Sequence, residues 1–125
     1  MHYQNKICWI TGASSGIGEA IAYELAGQGA HLILSARGKE KLSSVAEKCI
    51  EKGAKEAFVL PLDLGSSESI VAAYKSFEEK YNQLDLLINN GGISQRAFSS
   101  ETDIDVERNI MEVNYFGTIH LTKLV

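Results

Sequence analysis

Eight residues near the start, Thr11-Gly12-Ala13-Ser14-Ser15-Gly16-Ile17-Gly18, constrain this chain more than any other stretch. They follow an apolar run, Ile7-Cys8-Trp9-Ile10, that reads as a buried strand, and they open an amphipathic run that reads as a helix. A glycine-rich turn from strand to helix is a phosphate cradle: side chains there would block a ligand, and the helix start presents unpaired N–H groups with partial positive charge. The spacing is G-x-x-x-G-x-G rather than the commoner G-x-G-x-x-G. The physical roles carry over. Gly12 permits the turn, Gly16 lets backbone approach a diphosphate, and Gly18 lets helix and strand pack closely. Ser14 and Ser15 can donate hydroxyls toward ribose and phosphate, and Ile17 belongs to the same candidate binding turn. A tight turn without a ligand is the plainer alternative.

Strand and helix patterns alternate along the rest of the chain, with no repeat, linker or low-complexity segment. Residues 5–11 predict a strand and 16–28 a helix with Ile17, Ile21 and Leu25 on one face, terminated by Gly27 and Gly29. Residues 31–35 predict a second strand. Residues 39–52 predict a second helix with Leu42, Val45, Ala46, Cys49 and Ile50 as its stripe, stopped by Gly53. Residues 57–62 predict a third strand. Its Pro61 cannot donate to a ladder, so this strand belongs at a sheet edge or ends there. Ser66 is the expected cap of a third helix with Ile70, Tyr74, Phe77 and Tyr81 on its buried side. Residues 84–89 predict a fourth strand ended by Gly91-Gly92. Thr102 is the expected cap of one long helix from Asp105 onward, with Ile110, Val113, Gly117, Leu121 and Leu124 near one face.

Continuous apolar strands separated by helices mean a parallel sheet covered on both sides. Right-handed crossovers that reverse once give the strand order 3-2-1-4, an α/β doubly wound, three-layer α/β/α arrangement. The length fits a single domain over residues 1–125.

Composition narrows the function classes. The apolar share of 45% and charged share of 22% are those of an ordinary globular protein. A net charge of −4 without a basic cluster argues against nucleic acid as a partner. No apolar stretch reaches the ~20 residues of a membrane helix, and the first residues lack the apolar core of a secretion signal. Cys8 and Cys49 read as free, packed thiols in a reducing compartment, with a disulfide the weaker reading. The three histidines are scattered, so no metal site is expected.

Four separated motifs now line up. The chain resembles the short-chain dehydrogenase/reductase family. Its first turn looks like the family's T-G-x-x-x-G-x-G. Asp63-Leu64 resembles the adenine-contacting pair after the third strand. Asn89-Asn90-Gly91-Gly92 resembles N-N-A-G, with glycine in place of alanine. Asn114-Tyr115-Phe116-Gly117 resembles the N-x-x-G stretch of the fifth long helix. The order and spacing agree over all 125 residues. The resemblance implies a Rossmann-like fold and an oxidoreductase that moves hydride between a nicotinamide coenzyme and a carbonyl or alcohol.

The end of the second strand should choose the coenzyme. An acidic residue there accepts the ribose 2′-hydroxyl of NAD and repels a 2′-phosphate. This chain has Ser35-Ala36-Arg37 instead. Arg37 can form charge-assisted bonds to a phosphate, so NADP(H) is the expected coenzyme. The alternative is a solvated surface arginine, although a cation at a helix start is disfavoured without a compensating anion. Asp63 is implied to accept from the adenine amino group, with Leu64 beside the ring. Otherwise Asp63 simply caps Gly65-Ser66. Asn90 and Gly91 fall on the carboxyl rim, Gly91 admitting the nicotinamide ribose, while Asn89 can stitch neighbouring strands.

The family's chemistry rests on a tyrosine with a lysine four residues on, aided by a serine and an asparagine. None of Tyr3, Tyr23, Tyr74, Tyr81 and Tyr115 has that lysine. The asparagine position alone has a match, Asn114, for which packing or helix bending is an equal reading. The expectation is therefore the nucleotide-binding half of a cytoplasmic reductase, truncated before its catalytic half and without turnover of its own. Its fourth strand would be an open edge, and Ser94-Gln95-Arg96 would lie near the substrate mouth. The parent is expected to be a homo-oligomer through its long helices, acting on a small carbonyl or alcohol. A nucleotide-binding or regulatory module without catalysis, or a non-catalytic interaction piece, are the other readings.

Overall fold

The computed structural model describes residues 2–92 and 103–125. The strands are β1 (Ile7–Thr11), β2 (His31–Ser35), β3 (Glu56–Val59) and β4 (Leu86–Ile88). They pair in parallel in the order β3-β2-β1-β4. Helices α1 (Gly16–Gly27), α2 (Lys39–Lys52) and α3 (Ser67–Lys80) fill the crossovers. After residue 103 the chain is helical to its end: α4 (Ile104–Met111), a π-helical turn (Glu112–Gly117) and α5 (Thr118–Leu124). This is the expected Rossmann-like, doubly wound sheet.

Successive strand residues point to opposite faces, so each central strand feeds two cores. Cys8, Ile10, Leu32 and Leu34 pack with Ala22 and Leu25 of α1 and Leu42 and Cys49 of α2. Trp9 and Ile33 pack on the other face with Ile70 and Phe77 of α3 and Leu121 of α5. Each large side chain removed from water in this way is worth roughly 1.5–3 kcal/mol. A cleft opens at the carboxyl ends of the strands.

Local chemistry explains most boundaries. The Ser66 hydroxyl accepts from the Ser69 N–H at 3.2 Å and caps α3, as expected. Pro61 lies two residues past the end of β3, which is shorter than the predicted 57–62. The chain still follows β2: the Leu60 and Leu62 N–H groups donate to the Leu34 and Ala36 carbonyls, both at 2.9 Å. Pro61 falls between them, at the position whose nitrogen faces away from β2, so its missing N–H costs nothing there. The N–H groups of Ile7 and Asp85 bond reciprocally to Asp85 Oδ2 and the Ile7 carbonyl, at 2.8 and 2.9 Å, and join β1 to β4.

Three expectations are corrected. Ile17 does not share the buried face of α1; it is 71% exposed, and Gly18, Ala22, Leu25 and Ala26 are buried instead. The core-facing stripe is set by the small residues that allow close approach, not by the largest apolar one. The last helix is interrupted by the π turn at Glu112–Gly117, which the 3.6-residue pattern does not reveal. Its predicted face nevertheless holds, with Gly117 and Leu121 buried. Among the described residues, Asn89 bonds to a helix rather than to a neighbouring strand: its Nδ2 donates to Thr122 Oγ1 in α5 at 3.1 Å. Thr102 and Ser94-Gln95-Arg96 lie outside the described residues; α4 begins after Asp103. Among the described residues, no helix is long and apolar enough to cross a membrane.

Candidate functional site

A cleft of about 750 Å³ opens at the carboxyl ends of the strands, where ligands sit in open parallel sheets. Four chain segments meet there. Thr11, Gly12, Ser14 and Ser15 form the turn after β1, and Ser35, Ala36 and Arg37 follow from β2. Leu62, Asp63 and Leu64 come after β3, and Asn90, Gly91 and Gly92 after β4. Val113 closes the side formed by the π turn.

The glycines of the first turn are demanded by space. Gly12 has φ +64°, and a Cβ there would come 2.7 Å from the Asn90 carbonyl oxygen. Gly18 lies beneath it, where a Cβ would fall 2.1 Å from the Gly12 carbonyl oxygen. Gly16 has φ +57° with no atom within 4 Å of its Cβ position, so the absent side chain leaves open space before α1. That is the geometry of a backbone cradle, whose free N–H groups suit a phosphate. Gly16, Ile17 and Gly18 build the turn and the start of α1 but are not among the residues lining the cleft.

Thr11 holds the two sides of the cleft together, a role that sequence reasoning missed. Its buried Oγ1 accepts from the Asn90 and Gly91 N–H groups at 3.1 and 2.9 Å. The Asn90 amide donates to the Gly12 carbonyl at 3.2 Å. Asn90 is thus the stitch between the turns after β1 and β4. Gly91 is crowded: a Cβ there would meet Leu64 Cδ1, the tip of a side chain that can shift, at 2.7 Å, and Thr11 Oγ1 at 3.2 Å. Threonine within an apolar strand end is the signal that could have exposed this bond.

Charge gathers at one end of the cleft. Arg37 is exposed, and Lys39 and Lys41 join it from the first turn of α2, with Glu40 between them. Among the described residues, no carboxylate lies within ion-pair distance of Arg37. The α2 start is capped by Gly38, which has no side chain to satisfy the first helical N–H groups. An unpaired guanidinium beside a helix N-terminus is a fit for a phosphate dianion.

Asp63 makes the local capping bond weighed for it and also stands at the cleft. Its Oδ1 accepts from the Gly65 N–H at 2.9 Å and its own N–H donates to Ser69 Oγ at 2.9 Å, while the residue also lines the cleft. Asn114, in the π turn, stands against the inner end of the cleft: its Oδ1 is 3.0 Å from the Cβ position of Gly92. The structure therefore brings Gly12, Ser14, Ser15, Arg37, Asp63, Leu64, Asn90 and Gly91 to one cleft with Asn114 beside it.

The sequence profile described as short chain dehydrogenase matches residues 6–125. The chain is 47% identical over 124 residues to human "Dehydrogenase/reductase SDR family member 7", covering 97% of this chain and 37% of that protein. Among solved structures, it is similar to an alcohol dehydrogenase from Thermococcus sibiricus complexed with 5-hydroxy-NADP, at TM-score 0.90 and 33% identity, covering 97% of this chain and 52% of that one. It is also similar to a metagenomic short-chain oxidoreductase in complex with NADP, at TM-score 0.92 and 29% identity, covering 99% and 56%. The chain thus spans 37%, 52% and 56% of the length of these three proteins.

Proposed function

The chain belongs to the short-chain dehydrogenase family, and on that premise we propose that residues 1–125 form a single NADP(H)-binding domain of a carbonyl reductase or alcohol dehydrogenase. The observation that carries the choice of coenzyme is Arg37: a cation with no carboxylate partner among the described residues, at the strand end where an acid would select NAD. Lys39 and Lys41 add to the positive field at the same end. Two related structures, one complexed with 5-hydroxy-NADP and one with NADP, support the same reading.

Each segment of the cleft then has a task. The turn from Gly12 to Gly18 offers backbone N–H groups to the diphosphate, with Ser14 and Ser15 as hydroxyl donors beside it. Ile17 lies on the same turn and offers its exposed side chain as an apolar cover. Arg37 holds the 2′-phosphate. Asp63 and Leu64 receive the adenine by polar and apolar contact. Asn90 and Gly91 border the nicotinamide ribose, and Asn114 faces that end from the π turn. When bound, the coenzyme supplies or accepts the hydride exchanged with a carbonyl or alcohol. These 125 residues contain no tyrosine with a lysine four positions later, and the hydride transfer is proposed for the whole protein. Oligomerisation through the long helices is part of the same proposal.

Calorimetric titration of the chain with NADPH and NADH tests the reading. Saturable NADPH binding, tighter than NADH by tenfold or more, is expected. An absence of NADPH binding, or a preference for NADH, overturns it.

A further inference from the structure

A buried polar contact stands at the floor of the cleft, which Ser35 itself helps to line. The indole N–H of Trp9 donates to Ser35 Oγ at 2.8 Å, and both side chains are fully buried. Trp9 is anchored from the opposite side, where its ring stacks on Phe77 of α3 with centroids 5.2 Å apart. Ser35 is the last residue of β2, and three structural features converge on it. Its carbonyl accepts from the Ala13 N–H of the glycine turn at 3.1 Å. Thr11 is its partner in register. Ala36 and Arg37 follow it directly into the cleft.

A polar pair in an apolar layer is not needed to fill volume. What such a pair adds is a fixed geometry, since each group is costly to leave unmatched. Here the geometry is the depth at which β2 ends. The Arg37 side chain is long, but its reach is set by its Cα, and small misplacements of a binding group carry large penalties.

We infer that the Trp9–Ser35 hydrogen bond positions Arg37 relative to the glycine turn, and so tunes discrimination between coenzymes that carry or lack a 2′-phosphate. The inference rests on the NADP(H) reading above. Ser35 and Trp9 are positioning residues: both side chains are fully buried and act through Arg37. The indole, held by Phe77, fixes the end of β2, while the Ala13–Ser35 backbone bond ties that end to the diphosphate turn. The distance between the two anion sites is then a property of the core rather than of the surface.

A double-mutant cycle on the full chain separates positioning from general damage. NADPH and NADH affinities are measured for wild type, Ser35→Ala, Arg37→Ala and the double variant. Ser35→Ala is expected to lower the NADPH:NADH preference about fivefold, within the range of coupling between neighbouring residues. In the Arg37→Ala background it should leave the remaining preference unchanged. A merely structural role would weaken both coenzymes alike. A preference within twofold of wild type in Ser35→Ala overturns the inference, as does an undiminished effect without Arg37. If Ser35→Ala yields no folded protein, the same cycle with Trp9→Phe decides by the same criteria. Failure of wild type itself to bind NADPH refutes the function reading, and is seen before any variant is made.

Discussion

Gly18 sits so close beneath Gly12 that a single methyl group could not be placed between them: a Cβ at 18 would lie 2.1 Å from the Gly12 carbonyl oxygen. The opposing atom is backbone and cannot swing aside. Gly18→Ala must therefore push α1 away from the turn, at about 2–4 kcal/mol, and remove NADPH binding with it. Gly16→Ala meets no atom and carries only the strain of a left-handed residue, on the order of 1 kcal/mol. Chemical denaturation of the two variants should rank them in that order. Equal losses would mean that the turn can yield.

How much of this was legible in the sequence depends on whether the cause is local. The Ser66 cap, the strand order and the close packing of Gly18 follow from residue type and spacing, and all three are observed. Ile17 was misassigned because periodicity counts apolar residues, whereas the buried face of α1 is chosen by Gly18 and Ala22, which let the helix approach the sheet. The π turn around Asn114 is not written in the 3.6-residue pattern, although helix bending is among the readings weighed for Asn114; Gly117 packs there against Leu64, far away in sequence. The Thr11 bonds to Asn90 and Gly91 were invisible because they too join residues far apart in sequence.

Thr11→Val tests that stitch with almost no change of shape. It takes the acceptor from the Gly91 N–H in a part-buried site, while the Asn90 N–H keeps the Ile88 carbonyl at 3.1 Å. An unmatched donor there costs about 1–3 kcal/mol, and a loss in that range is expected. Thr11→Ser keeps the oxygen and should lose less than 1.5 kcal/mol. Urea denaturation compares them, and equal stability of the valine variant would show that another group satisfies the Gly91 amide.

Arg37→Asp replaces the cation at the end of β2 by the acid that would accept ribose hydroxyls and repel a phosphate. NADPH affinity should fall by roughly two orders of magnitude, as for loss of a charge-assisted pair plus repulsion, while NADH affinity holds or rises. Calorimetry on both coenzymes reads the change. An unmoved NADPH:NADH ratio would place the 2′-position elsewhere.

Leu64 is held between two glycines. A Cβ at Gly91 would lie 2.7 Å from Leu64 Cδ1, and one at Gly117 only 2.0 Å from the Leu64 carbonyl oxygen. Gly117→Ala should displace the end of the π turn and shift Leu64 within the cleft, costing about 2–3 kcal/mol. Weaker NADPH binding with an unchanged coenzyme preference is the expected pattern, because Arg37 is untouched. A full-strength binder would show that the last helix can move without the cleft.

Stability should fall on the alkaline side. Burial pushes the Cys8 thiol up to about 11, with the Asp85 carboxylate adding to the shift, and burial pushes the Cys49 thiol up to about 11 against the opposing pull of Lys52. In the unfolded chain both ionise near 9, so between pH 9 and 11 the folded state binds more protons than the unfolded one. Stability then decreases as pH rises through that window, by about 1–2 kcal/mol per thiol. The contribution is complete below pH 9, and neither thiol imposes a slope there. Tyr81, raised by burial and by its hydrogen bond to Glu56, extends the same trend further up. Urea midpoints at pH 8 and pH 10.5 should differ clearly in the wild type, and the difference should shrink in the Cys8→Ala, Cys49→Ala double variant. An identical slope in that variant would show that the buried thiols do not control alkaline stability.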